Sequence, residues 1–335
     1  MSIIHTQGLI KTYRRFEKEA GLRGSLRSLF HRQFLTKSAV NGFDLDIEAG
    51  EFVGLIGPNG AGKTTLVKML TGIIAPTAGE ISVLGHTPNK LENAFKQRYA
   101  VVMGQKSQLF FELTAADTFQ LFKALYGLDD AVYRRNVDFF VELFDVKSLV
   151  DVQVRTLSLG ERMKMELIVA LLHNPEVLFL DEPTIGLDAV AQRQIRSFLR
   201  EVNRERHTTI LLTSHYMEDI TSLCSRCVVI AGGEKLYDGE LDALLHRFQT
   251  HRKLTVHFEQ PTELALPPEA LVLEDTPHKL VFMVPKADAQ ATAQALMARH
   301  ALTDVTVEEE DIGGVVERIY ASRKDAGTGE SKVGA

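Results

Sequence analysis

The sequence contains no tryptophan and only two cysteines, Cys224 and Cys227. A single Cys-x-x-Cys, with no second ligand pair and no thioredoxin-like setting, argues against a zinc site or a redox dithiol. The pair falls where a helical stretch, Met217 to Ser222, gives way to the apolar run Val228 to Ile230, and is read as structural. No apolar run approaches the ~18–20 residues of a membrane-spanning helix. The opening MSIIHTQGLIKTY lacks the basic, apolar and small-residue succession of a secretory signal, so the expected place of the chain is the cytoplasm. Positive charge is not in excess: the net charge of −6 gives no basic footprint, and nucleic acid is not an expected partner. There is no internal repeat.

What is present suits a folded globular protein. A hydrophobic share of 45% with 24% charged residues, over 335 residues, supports one large domain plus a smaller one. From residue 1 to about 250, short apolar runs bounded by polar residues (EFVGLIG, EVLFLD, TTILLTS) alternate with helical stretches such as Ala189 to Arg206, the pattern of buried parallel strands. The segment Leu113 to Val150 reads as helical throughout, opened by Thr114 and Asp117 at capping-box spacing, and suggests a helical subdomain at about 105–165. Residues 251–322 read as a small α+β module: strands LTVHF, LVLE and KLVFMV, a helix from Asp288 to His300, and the strand DVTVE. The polar tail 323–335 reads as disordered. An early basic insertion, 14–37, carries Leu22, Leu26, Leu29, Phe30 and Phe34 at helix-like spacing. It reads either as an amphipathic segment touching anionic lipid or the partner, or as a surface helix packed on its own domain.

The strongest local signal is Gly57-Pro58-Asn59-Gly60-Ala61-Gly62-Lys63-Thr64, a complete G-x-x-x-x-G-K-[ST] between an apolar strand and a helical pattern. In that context the backbone N–H groups and the helix N-terminus face phosphates. Lys63 reaches the β- and γ-phosphates, Thr64 ligates Mg²⁺, and Thr65 belongs to the same set. Downstream, Val177-Leu-Phe-Leu-Asp181-Glu182-Pro183 is an apolar strand ending in two carboxylates. Asp181 is placed to hold Mg²⁺, and Glu182 to act as base toward the attacking water.

Between these lies Leu157-Ser158-Leu159-Gly160-Glu161, followed by RMKMELIVALL. Taken in order, the three motifs resemble the ABC ATPase family. Its signature LSGGQ is altered here at Leu159 and Glu161, while Ser158 and Gly160 are kept. The resemblance implies an α/β P-loop NTPase fold with a RecA-like core, an antiparallel β subdomain and a helical subdomain, to which the small C-terminal α+β module is added. It implies ATP and Mg²⁺ as cofactors. It further implies that Ser158, Gly160 and Glu161 contact the nucleotide of an opposing subunit, and that Asp188 of Gly186-Leu187-Asp188 communicates across the dimer. Gln105 matches the glutamine that senses Mg²⁺ and touches the membrane partner, His215 matches the switch histidine near the γ-phosphate, and Tyr13 resembles the aromatic that stacks on adenine. The implied partners are a separate transmembrane permease and a second ATP-binding subunit, at the cytoplasmic face of the membrane.

Within the family, the runs LLHNPEVLFLDEPTIGLD and LLTSHYMEDI and the variant LSLGER are similar to ATPase subunits of ABC-2-type exporters of the viologen and daunorubicin-resistance branch. A soluble ABC ATPase acting on ribosome or nucleic acid is the competing reading. One cassette, no heptad run and a negative net charge stand against it.

Overall fold

The structure, a computed structural model, describes residues 2–16, 34–104, 106–214, 216–260, 265–310 and 314. Two compact units are present, Met1–Gly239 and Glu240–Ala335. The second unit thus begins ahead of the boundary drawn at about 250 from the sequence. The tail 323–335, the insertion residues Leu22, Leu26, Leu29 and Phe30, and the two site residues Gln105 and His215 lie outside the described residues.

In chain order the first unit comprises β1 (Ser2–Phe16), β2 (Phe34–Glu48), β3 (Phe52–Ile56), α1 (Lys63–Leu70), β4 (Ala78–Val83), α2 (Asn93–Lys96) and β5 (Tyr99–Met103). These are followed by α3 (Ala115–Tyr126), α4 (Asp130–Phe144), α5 (Leu159–Leu171), β6 (Val177–Asp181), α6 (Ala189–Arg206), β7 (Thr209–Thr213), α7 (Met217–Leu223), β8 (Arg226–Ala231) and β9 (Glu234–Glu240). Two sheets result. The larger runs β5-β6-β7-β3-β8-β9, and β5, β6, β7, β3 and β8 are parallel. Its central strands β3, β6 and β7 are buried at every residue, which is why their sequences are unbroken apolar runs rather than alternations. The smaller sheet, β2-β1-β4, is antiparallel.

The segment read as helical throughout is in fact two helices. Gly127, at φ 61°, ends α3 in the left-handed conformation, and Asp129 starts α4. A left-handed residue cannot continue a right-handed helix, and glycine takes it without a Cβ penalty. The capping box at Thr114 and Asp117 is formed. A second correction concerns Phe34, read as the last of a helically spaced apolar series. It lies in β2, paired with Phe16 of β1, because the hairpin ladder extends to the edges of the insertion. Among the described residues no helix is long and apolar enough to cross a membrane.

The second unit holds α8 (Leu241–Phe248), β10 (His251–His257), β11 (Leu271–Thr276), β12 (Lys279–Pro285), α9 (Ala289–Arg299) and β13 (Asp304–Glu309). Its antiparallel sheet runs β11-β12-β10-β13. Leu254, Val256, Phe282 and Val284 of the sheet pack with Ala289, Ala293 and Leu296 of α9 as a separate core. A core of its own is what a distinct folding unit requires.

Candidate nucleotide-binding site

The site is built where β3 ends and α1 begins. Strand β3 is clamped between β7 and β8, so the loop Gly57–Gly62 leaves the sheet at its centre. Two glycines there are dictated by close approach. A Cβ on Gly57 would stand 2.1 Å from the Ile230 carbonyl oxygen, and one on Gly62, at φ 112°, would stand 2.3 Å from that of Ala39. The loop is also pinned from β8's side by the Gly233 N–H, which donates to the Ala61 carbonyl at 3.0 Å. Lys63 curls back over the loop, donating from Nζ to the carbonyls of Gly57 at 2.7 Å and Pro58 at 3.2 Å. Burial pulls its ammonium below the usual lysine range, and the Glu182 and Asp181 carboxylates act in the opposite direction.

Asp181 and Glu182 meet this loop from β6. Asp181 Oδ1 accepts from the Thr64 hydroxyl at 3.2 Å and from the Thr213 hydroxyl at 2.7 Å. Glu182 sits at φ 57°, a left-handed position rare for a side chain other than glycine. Its N–H is held by the Thr213 carbonyl at 3.0 Å. That turn redirects the chain directly after the strand. Glu182 lines a cavity of about 320 Å³ with Tyr13, Lys37, Ala39 and residues 59–65, while Asp181 and Glu182 both line a second one of about 160 Å³ with Thr64, Lys68, Met103, Gly104 and Lys106.

Of the residues expected at the nucleotide, Tyr13, Asn59, Gly60, Ala61, Gly62, Lys63, Thr64, Thr65 and Glu182 therefore converge on one cavity, with Gly57 and Pro58 beneath Lys63. Tyr13 reaches it from the β1–β2 hairpin, with the Lys11 ammonium 5.4 Å from its ring centre. Lys37, directly opposite Tyr13 in the ladder, lines the same wall. No motif marks Lys37 for the site; it arrives through strand register alone. Gln105 and His215 lie outside the described residues, and their neighbours are held in place. The Gly104 N–H donates to the Asp181 carbonyl at 2.9 Å, and the Ser214 hydroxyl is fixed by Asp219 at 2.6 Å.

Ser158, Gly160, Glu161 and Asp188 line neither cavity. They sit at two helix starts that face each other. Ser158 caps α5, accepting from the Glu161 N–H at 3.3 Å, while the Glu161 carboxylate accepts from the Ser158 N–H at 2.8 Å. Hydrogen bonds to the carboxylate from the Ser158 N–H and hydroxyl hold the Glu161 carboxyl below its usual range. Asp188 caps α6, accepting from the N–H groups of Val190 and Ala191, both at 2.9 Å. A Cβ on Gly160 would lie 2.8 Å from that of Ala191, and one on Gly186 would lie 3.3 Å from the Leu159 side chain, so the two helix starts abut. The cysteines are buried, Cys227 with its thiol pushed up to about 12 and Cys224 further, which leaves both unreactive.

Comparison with known proteins agrees with this geometry. Residues 40–185 match the family model described as ABC transporter. The chain is 36% identical over 206 residues to the ABC transporter ATP-binding protein NatA of Bacillus subtilis (strain 168), covering 62% of this chain and 83% of that one. It is 33% identical over 285 residues to the daunorubicin resistance ATP-binding protein DrrA3 of Streptomyces coeruleorubidus, covering 84% and 88%. The fold matches that of the ATP-binding cassette MJ0796, solved as a dimer in a post-hydrolysis state bound to ADP and Pi, with a TM-score of 0.59 at 21% identity over 71% of this chain and 98% of that one. The phosphate loop, the paired carboxylates and these likenesses place the chain in the family of ABC transporter ATP-binding subunits, P-loop proteins that bind and hydrolyse ATP.

Proposed function

We propose that the chain binds ATP with Mg²⁺ in the cavity between Tyr13 and the phosphate loop, and that hydrolysis there drives a separate membrane-spanning partner in export. The observation that carries this reading is the convergence of Lys63, Thr64, Asp181 and Glu182 at one loop, with the Thr64 hydroxyl 3.2 Å from Asp181.

The donor set fits the metal. A hydroxyl and a carboxylate within hydrogen-bond distance are hard oxygen ligands of the kind Mg²⁺ takes, one or two per site beside phosphate oxygens. Thr64 and Asp181 would hold it, and when bound it supplies neutralisation of the phosphate charge. Lys63 carries a cation on the same side, beside N–H groups at the start of α1. Glu182, aimed by its left-handed backbone, takes the proton of the attacking water at its carboxylate. Tyr13 offers a face for the adenine ring, with Lys37 beside it. The family likeness assigns Gln105 to Mg²⁺ sensing and contact with the membrane partner, and His215 to the γ-phosphate.

Ser158, Gly160 and Asp188 do not reach this cavity within the chain, which suits a site completed by a second subunit. The pairing of phosphate loop with opposing signature makes ATP a bridge between two chains, and hydrolysis releases it. Export rests on likeness to DrrA3 and the ABC-2 branch, and the partner would hold the chain at the cytoplasmic face of the membrane. Gentle solubilisation of membranes with the tagged chain, followed by identification of stoichiometric companions, tests the reading. A multi-span membrane protein supports it, and a ribosomal protein or nucleic acid in its place overturns it.

A further inference from the structure

In the middle of α5, a helix otherwise buried from Met163 to Leu171, stands a carboxylate. Glu166 is 5% exposed. A buried carboxylate costs several kcal/mol unless its oxygens are bonded, so its partners identify its work. Among the described residues, all of its hydrogen-bond donors come from three consecutive residues of another segment. Glu166 accepts from the Ser107 hydroxyl, from the Gln108 N–H at 2.9 and 3.0 Å, and from the Leu109 N–H at 3.3 Å. These bonds pull its acidity back toward the carboxylate against the burial that raises it.

The same face of α5 grips this segment again one turn earlier. The Arg162 guanidinium lies 5.5 Å from the Phe111 ring centre, its Nε buried with no hydrogen-bond partner among the described residues. Residues 158, 162 and 166 are spaced by four and share one side of the helix. The stripe that begins with the cap Ser158 thus continues as a two-point clamp on residues 107–111. Ser107 is two residues beyond Gln105. From its other side the segment is tied to β5, the Gln108 side chain donating to the Val101 carbonyl at 3.1 Å.

We propose that Glu166 is a positioning residue that locks the segment following Gln105 to the signature helix. Residues 107–111, which follow Gln105 in the chain, and the Ser158 end serving the opposite site then move as a single body. The proposal rests on the functional reading above, which assigns Gln105 and Ser158 to the two sites. Glu166 lines neither cavity of the nucleotide site. Its removal therefore changes the rate at which a bound nucleotide is hydrolysed, and leaves the affinity set by Tyr13 and the phosphate loop.

The test uses the full chain as wild type, Glu166→Ala, Glu166→Gln, Ser107→Ala and Glu182→Gln. Turnover, KM, affinity for a fluorescent ATP analogue, Mg²⁺ dependence and amide hydrogen exchange are measured. Glu166→Ala is expected to lower kcat ~10- to 100-fold, the effect of a small misplacement of a reacting group. Its analogue affinity should stay within about twofold, its Mg²⁺ requirement should rise, and the Gln108 and Leu109 amides should exchange faster. Glu166→Gln, which keeps one acceptor oxygen, falls between it and wild type. Unchanged kcat or unchanged protection of those amides in Glu166→Ala overturns the proposal, as does a parallel loss of affinity. Should Glu166→Ala fail to fold, the same readings on Glu166→Gln and Ser107→Ala decide. Glu182→Gln separates the two levels: if it still hydrolyses at the wild-type rate, the site reading itself fails, and if it alone is inactive, only the clamp fails.

Discussion

Arg196 and Asp219 form a buried ion pair at 3.0 Å, with side chains 6% and 1% exposed. The second oxygen of Asp219 accepts from the hydroxyls of Thr184 at 2.5 Å and Ser214 at 2.6 Å. One carboxylate therefore joins the turn after Glu182, the residue before His215, and helix α6. Removing it leaves the buried guanidinium with the exposed Glu218 carboxylate, 2.9 Å away, as its remaining ion-pair partner among the described residues, and orphans the two hydroxyls. Asp219→Ala is expected to cost ~3–5 kcal/mol in urea denaturation. Replacing both partners, Arg196→Met with Asp219→Leu, should cost less than Asp219→Ala alone, and equal losses would show that the charge pair is not the source.

Glu182→Gln keeps the size and the left-handed backbone of the residue but removes the base. ATP binding should persist while hydrolysis slows ~10²–10⁴-fold, the usual worth of a general base. Single-turnover kinetics on pre-bound ATP reads the step directly, and wild-type turnover would remove Glu182 from that role.

Lys63→Ala acts one step earlier. Its side chain is buried and its ammonium already held by loop carbonyls, so it is preorganised for phosphate. Loss of a charged hydrogen-bonding group of ~1.5–3 kcal/mol predicts nucleotide affinity weaker by about 10- to 100-fold in a direct titration.

Gly57→Ala probes the backbone. Its Cβ would stand 2.1 Å from the Ile230 carbonyl oxygen, and backbone cannot step aside as a flexible side chain does. The expected result is a lower melting temperature together with loss of nucleotide binding, while Gly60→Ala, where nothing stands within 4 Å but φ is 77°, should be the milder change.

His173 gives a pH signature. Its ring stacks on Tyr126 with centres 3.9 Å apart, its Nε2–H donates to the Tyr99 carbonyl at 3.1 Å, and burial lowers its pKa from 6.5 to about 4. Above pH 6.5 both folded and unfolded chains hold it neutral, and it is silent. Between pH 6.5 and about 4 only the unfolded chain takes the proton, so stability falls with falling pH, by up to ~1.4 kcal/mol per unit. His173→Phe keeps the stack and should remove that part of the loss between pH 7 and pH 5 in denaturant titrations.

The contiguous parts of the site were legible in the sequence because their chemistry is local. The phosphate loop, the Asp181-Glu182 pair and the strand that carries them are each a short run whose spacing states its role. The parts assembled by register or by burial were not. Lys37 reaches the cavity only because it pairs with Tyr13 across a hairpin whose connecting residues separate them in the chain. Glu166 reads as an ordinary polar position of a helix, and nothing in RMKMELI says that its carboxylate points inward at Ser107. Glu161 carried an available signal: Ser158-x-x-Glu161 has the same spacing as Thr114-x-x-Asp117, and both form capping boxes. The break at Gly127 was likewise readable, since a glycine followed closely by Asp129 is a stop and a new start.

The phosphate loop looks self-contained in the sequence, yet its floor is supplied by Ile230 and Gly233, contributed by chain made long after it. During synthesis the motif emerges early and waits. Until the ribosome has released the segment through β8, the strand that carries the loop has no neighbour on that side, and its glycines have nothing to close against. A nascent chain truncated before Arg226 thus carries every residue that lines the cavity but lacks the backbone against which the phosphate loop packs. The packing that holds the loop is completed late, as a property of the finished sheet.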